Sequence, residues 1–362
     1  MLLVIFGAGA SYDSVPQFPL PRGVQPRGAN EKEHDRPPLA NHLFDNRPQF
    51  VKAMRQFPDC MALVPQLRRP GISVEKELAR FQEQAETFPQ ALRELAAIRY
   101  YLHVALWDCQ DRWLEHHQGI TNYATLVREI ERWRVRSNER VCFVTFNYDT
   151  MLEHAMTQVL HFGAFGSLEH YVSHDRYTVV KLHGSVNWGR EVDGYAVPLS
   201  PVTFTPFRGQ MSCQELIANA AKLLITDRYR LVSRRPMLKE GDQYVFPALS
   251  IPVENKDEFS CPRVHIDKLE ELLPSVTKII TIGWRATEAD FLHLLKRRIP
   301  TGQDLMIVSG DARGAEETDE NFTRVVPLNN PDTLRKAQGF TGLISTLGDL
   351  ETFLRRSRKS LA

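Results

Sequence analysis

The sequence predicts an α/β protein: a Rossmann-like, doubly wound parallel sheet carrying a helical insertion and a smaller irregular insertion. Three observations point there. Short apolar runs rich in branched residues recur along the chain, each stops abruptly at small or polar residues, and stretches with helical spacing separate them. Continuous rather than alternating apolar runs are what strands covered on both faces require, and strands that alternate with helices build parallel sheets.

Leu2 to Phe6 is the first such run and ends at Gly7-Ala8-Gly9-Ala10-Ser11. Residues 15–120 then read as an irregular loop followed by a helical insertion. Its first part is rich in proline and arginine, with short helices expected near Asn41 to Phe57. Ser73 to His116 has helical spacing broken near Pro89, and Thr121 to Arg136 repeats that spacing through Tyr123, Leu126, Val127, Ile130 and Trp133. Val141 to Thr145 reads as a second buried strand, followed by Asn147-Tyr148-Asp149 and a helix from about Thr150 to Leu160. A third strand is expected over Tyr177 to Leu182, ending at His183-Gly184-Ser185. Residues 187–262, with seven prolines and one helical stretch at Gln214 to Ile225, read as the irregular insertion. A short helix at Asp267 to Leu273 precedes a strand at Lys278 to Ile282, which ends at Gly283-Trp284-Arg285. A helix over about Glu288 to Arg298 leads to a strand at Asp304 to Val308, which ends at Ser309-Gly310-Asp311. A short strand at Arg324 to Val326 and an amphipathic helix at Leu347 to Arg356 are expected to close the chain.

Bulk properties exclude several classes of function. The 362 residues hold 45 Lys+Arg against 44 Asp+Glu, a net charge of +1, which argues against nucleic acid or an anionic membrane as a main partner. Basic stretches such as Lys296-Arg297-Arg298 and Arg355 to Lys359 read instead as solvated helix ends. Mean hydropathy is −0.32 and no run approaches the roughly 20 apolar residues of a membrane span. The opening Met-Leu-Leu-Val-Ile-Phe is too short for a signal peptide, so a cytoplasmic location is expected. Cys60, Cys109, Cys142, Cys213 and Cys261 are few, odd in number and scattered, with no C-x-x-C pair. That pattern predicts individually buried thiols rather than a disulfide framework or a zinc site.

In an open parallel sheet, ligands sit beyond the carboxyl ends of the strands, so the residues just after each strand are the candidates. Small residues at 7 to 11 let backbone N–H groups approach a pyrophosphate at a helix N-terminus. The turn lacks the third glycine of the usual dinucleotide fingerprint, and a plain structural turn explains it equally well. His183 follows an apolar strand beside Gly184, although a lone histidine is more often structural. Asn147 and Asp149 could equally cap the next helix. What distinguishes these residues is their occurrence together, in order, at strand ends.

The combination Gly7-Ala8-Gly9-Ala10-Ser11, Thr145-Phe146-Asn147-Tyr148-Asp149 and Leu182-His183-Gly184-Ser185 resembles the sirtuin, or silent information regulator, family and its bacterial relatives. Gly283 and the turn Ser309 to Asp311 fit the family's adenosine side more loosely. The resemblance implies that NAD binds across the sheet as substrate, near Gly7, Ala8, Gly9, Ala10 and Ser11, with Gly283, Ser309 and Asp311 contributing. It implies that Asn147 and His183 flank the nicotinamide ribose as the catalytic pair, while Asp149 helps to hold the site.

The departures matter as well. The protein-deacylating members carry a four-cysteine zinc module that five scattered cysteines do not match, so no zinc is expected. Phe146 stands where those enzymes have glutamine, and their post-turn segment survives only as Val15-Pro16-Gln17-Phe18, with Arg22 displaced. The likeness is nearer to zinc-free relatives used in bacterial antiphage defence, which hydrolyse NAD to nicotinamide and ADP-ribose. Such an enzyme needs gating, so a homo-oligomer or a partner is expected, with Ser73 to His116 as a contact surface or simply a cover over one sheet face; the resemblance implies a defence partner such as a HerA-type ATPase. The alternatives are an NAD-dependent deacylase, an ADP-ribosyltransferase, or a noncatalytic sensor of NAD or ADP-ribose.

Overall fold

A computed structural model describes residues 1–16, 33–85, 87–161, 163, 165–193, 213–232, 239–240, 243–252, 259–328 and 333–356. Ten strands are described: β1 Leu2–Phe6, β2 Val141–Thr145, β3 Tyr177–Lys181, β4 Gly184–Asp193, β5 Leu224–Leu231, β6 Lys239–Glu240, β7 Gln243–Leu249, β8 Lys278–Ile282, β9 Asp304–Val308 and β10 Leu334–Lys336. Six of them form one parallel sheet in the order β10-β9-β8-β1-β2-β3. The fold is therefore α/β and Rossmann-like. Chain order runs outward in both directions from the junction of β1 and β8, which is the topological switch point.

The apolar runs account for this arrangement. Every residue of β1, β2, β3 and β8 is buried, which requires helices on both faces. Asn122–Ser137, Met151–Leu160, Arg263–Leu272, Ala289–Arg298 and Ala312–Val325 supply them, each burying a stripe at helical spacing. Thr121 caps the first of these, its hydroxyl accepting from the Ala124 amide at 3.1 Å.

The remaining strands depart from expectation. The third strand stops at Lys181, and Gly184 already opens β4 of a second, antiparallel sheet in the order β5-β4-β7-β6. Much of the segment read as irregular is thus sheet, and the helix expected over Gln214 to Ile225 reduces to residues 213–218, a 3-10 turn at Ala220–Lys222 and the start of β5. Cross-strand ion pairs hold β5 to β4: Arg190 to Asp227 at 2.7 Å, and Glu191 to both Arg228 and Arg230. Pro198, Pro201, Pro206 and Pro236 lie outside the described residues, as do Gln17, Phe18, Arg22 and Lys359.

The helices Pro48–Gln56, Val74–Ala85 and Pro89–His116 share a second apolar core with this sheet, in which Phe57 and Phe246 both pack on Tyr100. The helical insertion therefore covers a sheet face, and that face belongs to the antiparallel sheet. The long helix Pro89–His116 joins the two cores: Leu95 to Cys109 lie in the second, while Trp113 lies in the first and its indole N–H donates to the Ser14 hydroxyl at 3.0 Å.

Near the C-terminus, Arg324 and Val325 end the helix Ala312–Val325 and form no strand; Ala315, Thr318, Asp319 and Phe322 give it one continuous buried face. The edge strand is β10 instead. Gly339–Ser345 forms a helix that the sequence did not announce, ahead of Leu347–Arg355. Among the described residues no helix is long and apolar enough to cross a membrane.

Candidate functional site

The loops after β1, β2, β3 and β8 meet at the carboxyl edge of the parallel sheet. At the switch point the backbones of β1 and β8 are in direct contact. The Gly7 amide donates to the Ile282 carbonyl at 3.0 Å, the Gly9 amide to the Gly283 carbonyl at 3.0 Å, and the Ala10 amide to Gly7 at 2.9 Å. A Cβ on Gly7 would lie 2.5 Å from the Gly283 oxygen, and Gly283 itself has φ +60. The small residues are thus required for strand-end packing, and the N–H groups of Gly7, Gly9 and Ala10 are engaged within the chain. Ala8 is exposed at this turn.

Ser11, on the short helix Ala8–Tyr12, reaches the residues that follow β2. Its hydroxyl donates to Asp149 Oδ2 at 2.6 Å and accepts from Asn147 Nδ2 at 2.8 Å. Asn147 Nδ2 also lies 3.2 Å from the Tyr123 hydroxyl, which is 3.0 Å from the Ser11 hydroxyl. All four groups therefore belong to one hydrogen-bonded cluster. Ser11, Asn147 and Tyr123 are buried. Burial, with the Asp149 charge adding to it, pushes the Tyr123 hydroxyl well above its ordinary pKa, so it stays a neutral donor.

Asp149 is held from three sides. Its Oδ1 accepts from the Met151 amide at 3.1 Å, Ser11 donates to Oδ2, and its backbone carbonyl accepts from Lys181 Nζ. Lys181 is fully buried and pairs with Glu153 at 2.9 Å, whose Oε1 also accepts from the Tyr171 hydroxyl at 3.1 Å. The neighbouring Thr150 is clamped by Gln110 of the long helix, whose Oε1 accepts from the Thr150 amide at 2.7 Å.

Thr145 pairs in register with Lys181, so Asn147 and His183 stand two residues beyond a matched pair on adjacent parallel strands. The His183 ring meets Phe146 edge-on at 4.8 Å between centroids, and Phe146 stacks on Trp284 at 5.5 Å with an interplanar angle of 8°. Trp284 is fixed by its indole N–H donating to Glu288 at 2.6 Å. An apolar wall thus backs His183. The glycine after it serves packing: Gly184 has φ +80, and a Cβ there would fall 1.8 Å from the Ala248 carbonyl.

The structure brings Ser11, Asn147 and Asp149 into contact and places His183 on the neighbouring strand end. Ser309 and Asp311 lie two strands away from β1, after β9. The Ser309 amide donates to Lys336 and its carbonyl accepts from Gly339, while Asp311 caps the helix Ala312–Val325 through the Gly314 amide at 2.7 Å. Sequence reasoning missed Tyr123, Lys181 and Glu153. The signal available for Tyr123 was a phenol in a buried helical stripe, where its hydroxyl needs a partner. For Lys181 it was a cation at the end of a largely apolar strand.

All five cysteines are buried, and none is joined in a disulfide. Among the described residues no group of three or more His, Cys, Asp or Glu side chains is placed to hold a metal ion. A cavity of about 650 Å³ in the helical insertion, lined in part by Phe44, Arg68 and Ser73, contains none of the strand-end residues.

Fold and site together define a Rossmann-like α/β protein with a polar cluster at the carboxyl ends of its first parallel strands. No family model matches the chain, and no curated protein matches it. Its structural neighbours include Sir2 structures. A mutant Sir2 homologue in complex with 2'-O-acetyl-ADP-ribose is 14% identical over 99% of this chain and 94% of that chain, with a TM-score of 0.43. A Sir2 protein bound to a propionylated peptide is 12% identical over 98% and 94%, with a TM-score of 0.38, and a Sir2 bound to an acetylated peptide matches at 12%, 98% and 94% with 0.37. At scores and identities this low the likeness assigns the chain neither a family nor an activity, and the reading of the site rests on its own residues.

Proposed function

We propose that this protein is an NAD glycohydrolase that cleaves NAD to nicotinamide and ADP-ribose, with water as acceptor. The observation that carries the proposal is the hydrogen-bonded convergence of Ser11, Asn147 and Asp149 from the ends of β1 and β2, beside His183 at the end of β3. These are the residues on which the sequence resembles NAD-consuming sirtuins, and β1, which leads to Ser11, borders the switch point where an open α/β sheet takes a dinucleotide.

Cleavage of the nicotinamide glycosidic bond leaves an oxocarbenium-like ribose, so the protein must hold the sugar, exclude bulk water and present one acceptor. Asn147, braced by Ser11, would orient the acceptor water or a ribose hydroxyl. His183, whose imidazole can take up a proton at a ring nitrogen, would accept the proton from it. Asp149 would contribute negative charge through Ser11 and steady the turn. Gly283, Ser309 and Asp311 lie along the β8 and β9 strand ends and would face the adenosine half.

The proposed setting is cytoplasmic antiphage defence by NAD depletion. There the activity would be restrained until oligomerisation, or a partner such as a HerA-type ATPase, released it. The test is to incubate the purified chain, alone and with candidate partners, with NAD and to quantify the products. Equimolar nicotinamide and ADP-ribose with no added acceptor is the expected result. Release of nicotinamide that depends on an acylated peptide, or ADP-ribose attached to protein, would replace hydrolysis with transfer. Binding of NAD without turnover would make the chain a sensor.

A further inference from the structure

Hydrogen-bond bookkeeping in the buried cluster assigns a role to a residue that the resemblance does not supply. Ser11 has one hydroxyl proton, and it is committed to the Asp149 carboxylate at 2.6 Å, which can only accept. Ser11 Oγ is therefore an acceptor toward its other two neighbours. The Tyr123 hydroxyl, 3.0 Å away, must donate to it, and Asn147 must turn its NH2 rather than its carbonyl toward it at 2.8 Å. With its own proton spent on Ser11, the Tyr123 oxygen accepts the second Asn147 amide proton at 3.2 Å. Every donor of the cluster is then used. The opposite amide orientation would set Asn147 Oδ1 against Ser11 Oγ, two acceptors at hydrogen-bond distance in a buried site, which is costly.

We infer that Tyr123 is a positioning residue: by donating to Ser11 and accepting from Asn147, it fixes the Asn147 amide with its carbonyl oxygen turned out of the cluster. The site consequently offers substrate an acceptor at Asn147, suited to a hydroxyl or a water and not to another carbonyl. This rests on the proposed hydrolase reading for its kinetic consequence, but the amide orientation stands apart from it. Tyr123 is 1% exposed and its ring packs on Phe6 and Phe340, so a phenylalanine retains the packing and removes only the hydroxyl.

The experiment uses the full chain labelled with ¹⁵N-asparagine, with the Asn147 side-chain amide assigned by its loss in Asn147→Asp. In the wild type both Nδ2 protons are expected to be protected from solvent exchange. In Tyr123→Phe at least one loses protection by about tenfold or more, while kcat for nicotinamide release falls about tenfold or more with KM nearly unchanged. Ser11→Ala frees the Tyr123 proton to donate to Asn147 Oδ1 and so inverts the amide. Adding Tyr123→Phe to it should then lower kcat no further. If Tyr123→Phe keeps both the protection and kcat, the inference is overturned and the hydrolase reading survives. If the wild type releases no nicotinamide under any activating condition, the hydrolase reading falls, and the exchange data alone decide the role of Tyr123.

Discussion

A methyl group at Gly283 would fall 2.3 Å from the Ala10 amide nitrogen and 2.4 Å from the Gly9 carbonyl carbon, in a backbone with φ +60. Gly283→Ala is therefore expected to cost about 3 kcal/mol or more, since steric overlap adds to left-handed strain. Chemical denaturation should show a lower midpoint, whereas Gly310→Ala, with nothing within 4 Å, should leave it nearly unchanged. The same scale shows what could be read in advance. Asn147, Asp149 and His183 could be singled out in the sequence because each lies shortly after a strand that ends at Thr145 or Lys181. Tyr123 could not be, because its place in an apolar helical stripe predicts a buried hydroxyl that needs a partner but not which one, and its partners Ser11 and Asn147 lie 112 and 24 residues away.

The turn between β2 and the helix Met151–Leu160 is locked to β3 by the Lys181–Glu153 pair, whose side chains are 0% and 6% exposed. Removing one member leaves the other charge buried and unpaired, which costs about 3–5 kcal/mol. Lys181→Met and Glu153→Gln should each lower the urea midpoint, and the double change Lys181→Met/Glu153→Leu should recover much of the loss. Because Lys181 also donates to the Asp149 carbonyl, the single variants should disturb the Ser11 cluster as well. Among elements, the fully buried strands were the most legible, since a continuous apolar run admits few other readings. β5 was not, because Asp227, Arg228 and Arg230 make its sequence look like a solvated loop, whereas in the sheet Asp227 pairs across to Arg190, and Arg228 and Arg230 to Glu191 and Asp193. The late helix face over Ala315 to Phe322 shows the converse: Arg324 to Val326 looks like a strand locally, but Arg324 and Val325 continue a helix whose buried stripe began nine residues before Arg324.

At the scale of the molecule, the parallel sheet and the helical insertion with its antiparallel sheet form two apolar cores joined by the helix Pro89–His116. The segments around residues 89 and 187–262 look like separate insertions in sequence because their contacts are long-range: Arg99 donates to the Leu249 carbonyl 150 residues away. His265 sits where β4 meets the first core, its Nε2 against the Leu168 carbonyl and its ring between Tyr171 and Trp188. Burial pulls its pKa down from the ordinary 6.5 to about 4. The unfolded chain therefore binds this proton more readily, and the stability contributed by neutral His265 is present above pH 6.5 and lost as pH falls toward about 4. His265→Phe should flatten that part of the stability-versus-pH curve by up to about 3 kcal/mol, measured by denaturant titration at matched salt.

The central claim, that the cluster at the ends of β1, β2 and β3 hydrolyses NAD, is tested most directly by nicotinamide release from NAD under activating conditions. The account predicts robust release by the wild type and a loss of about 10²-fold or more in both Asn147→Ala and His183→Ala with the fold intact. Equal release by wild type and both variants would contradict it.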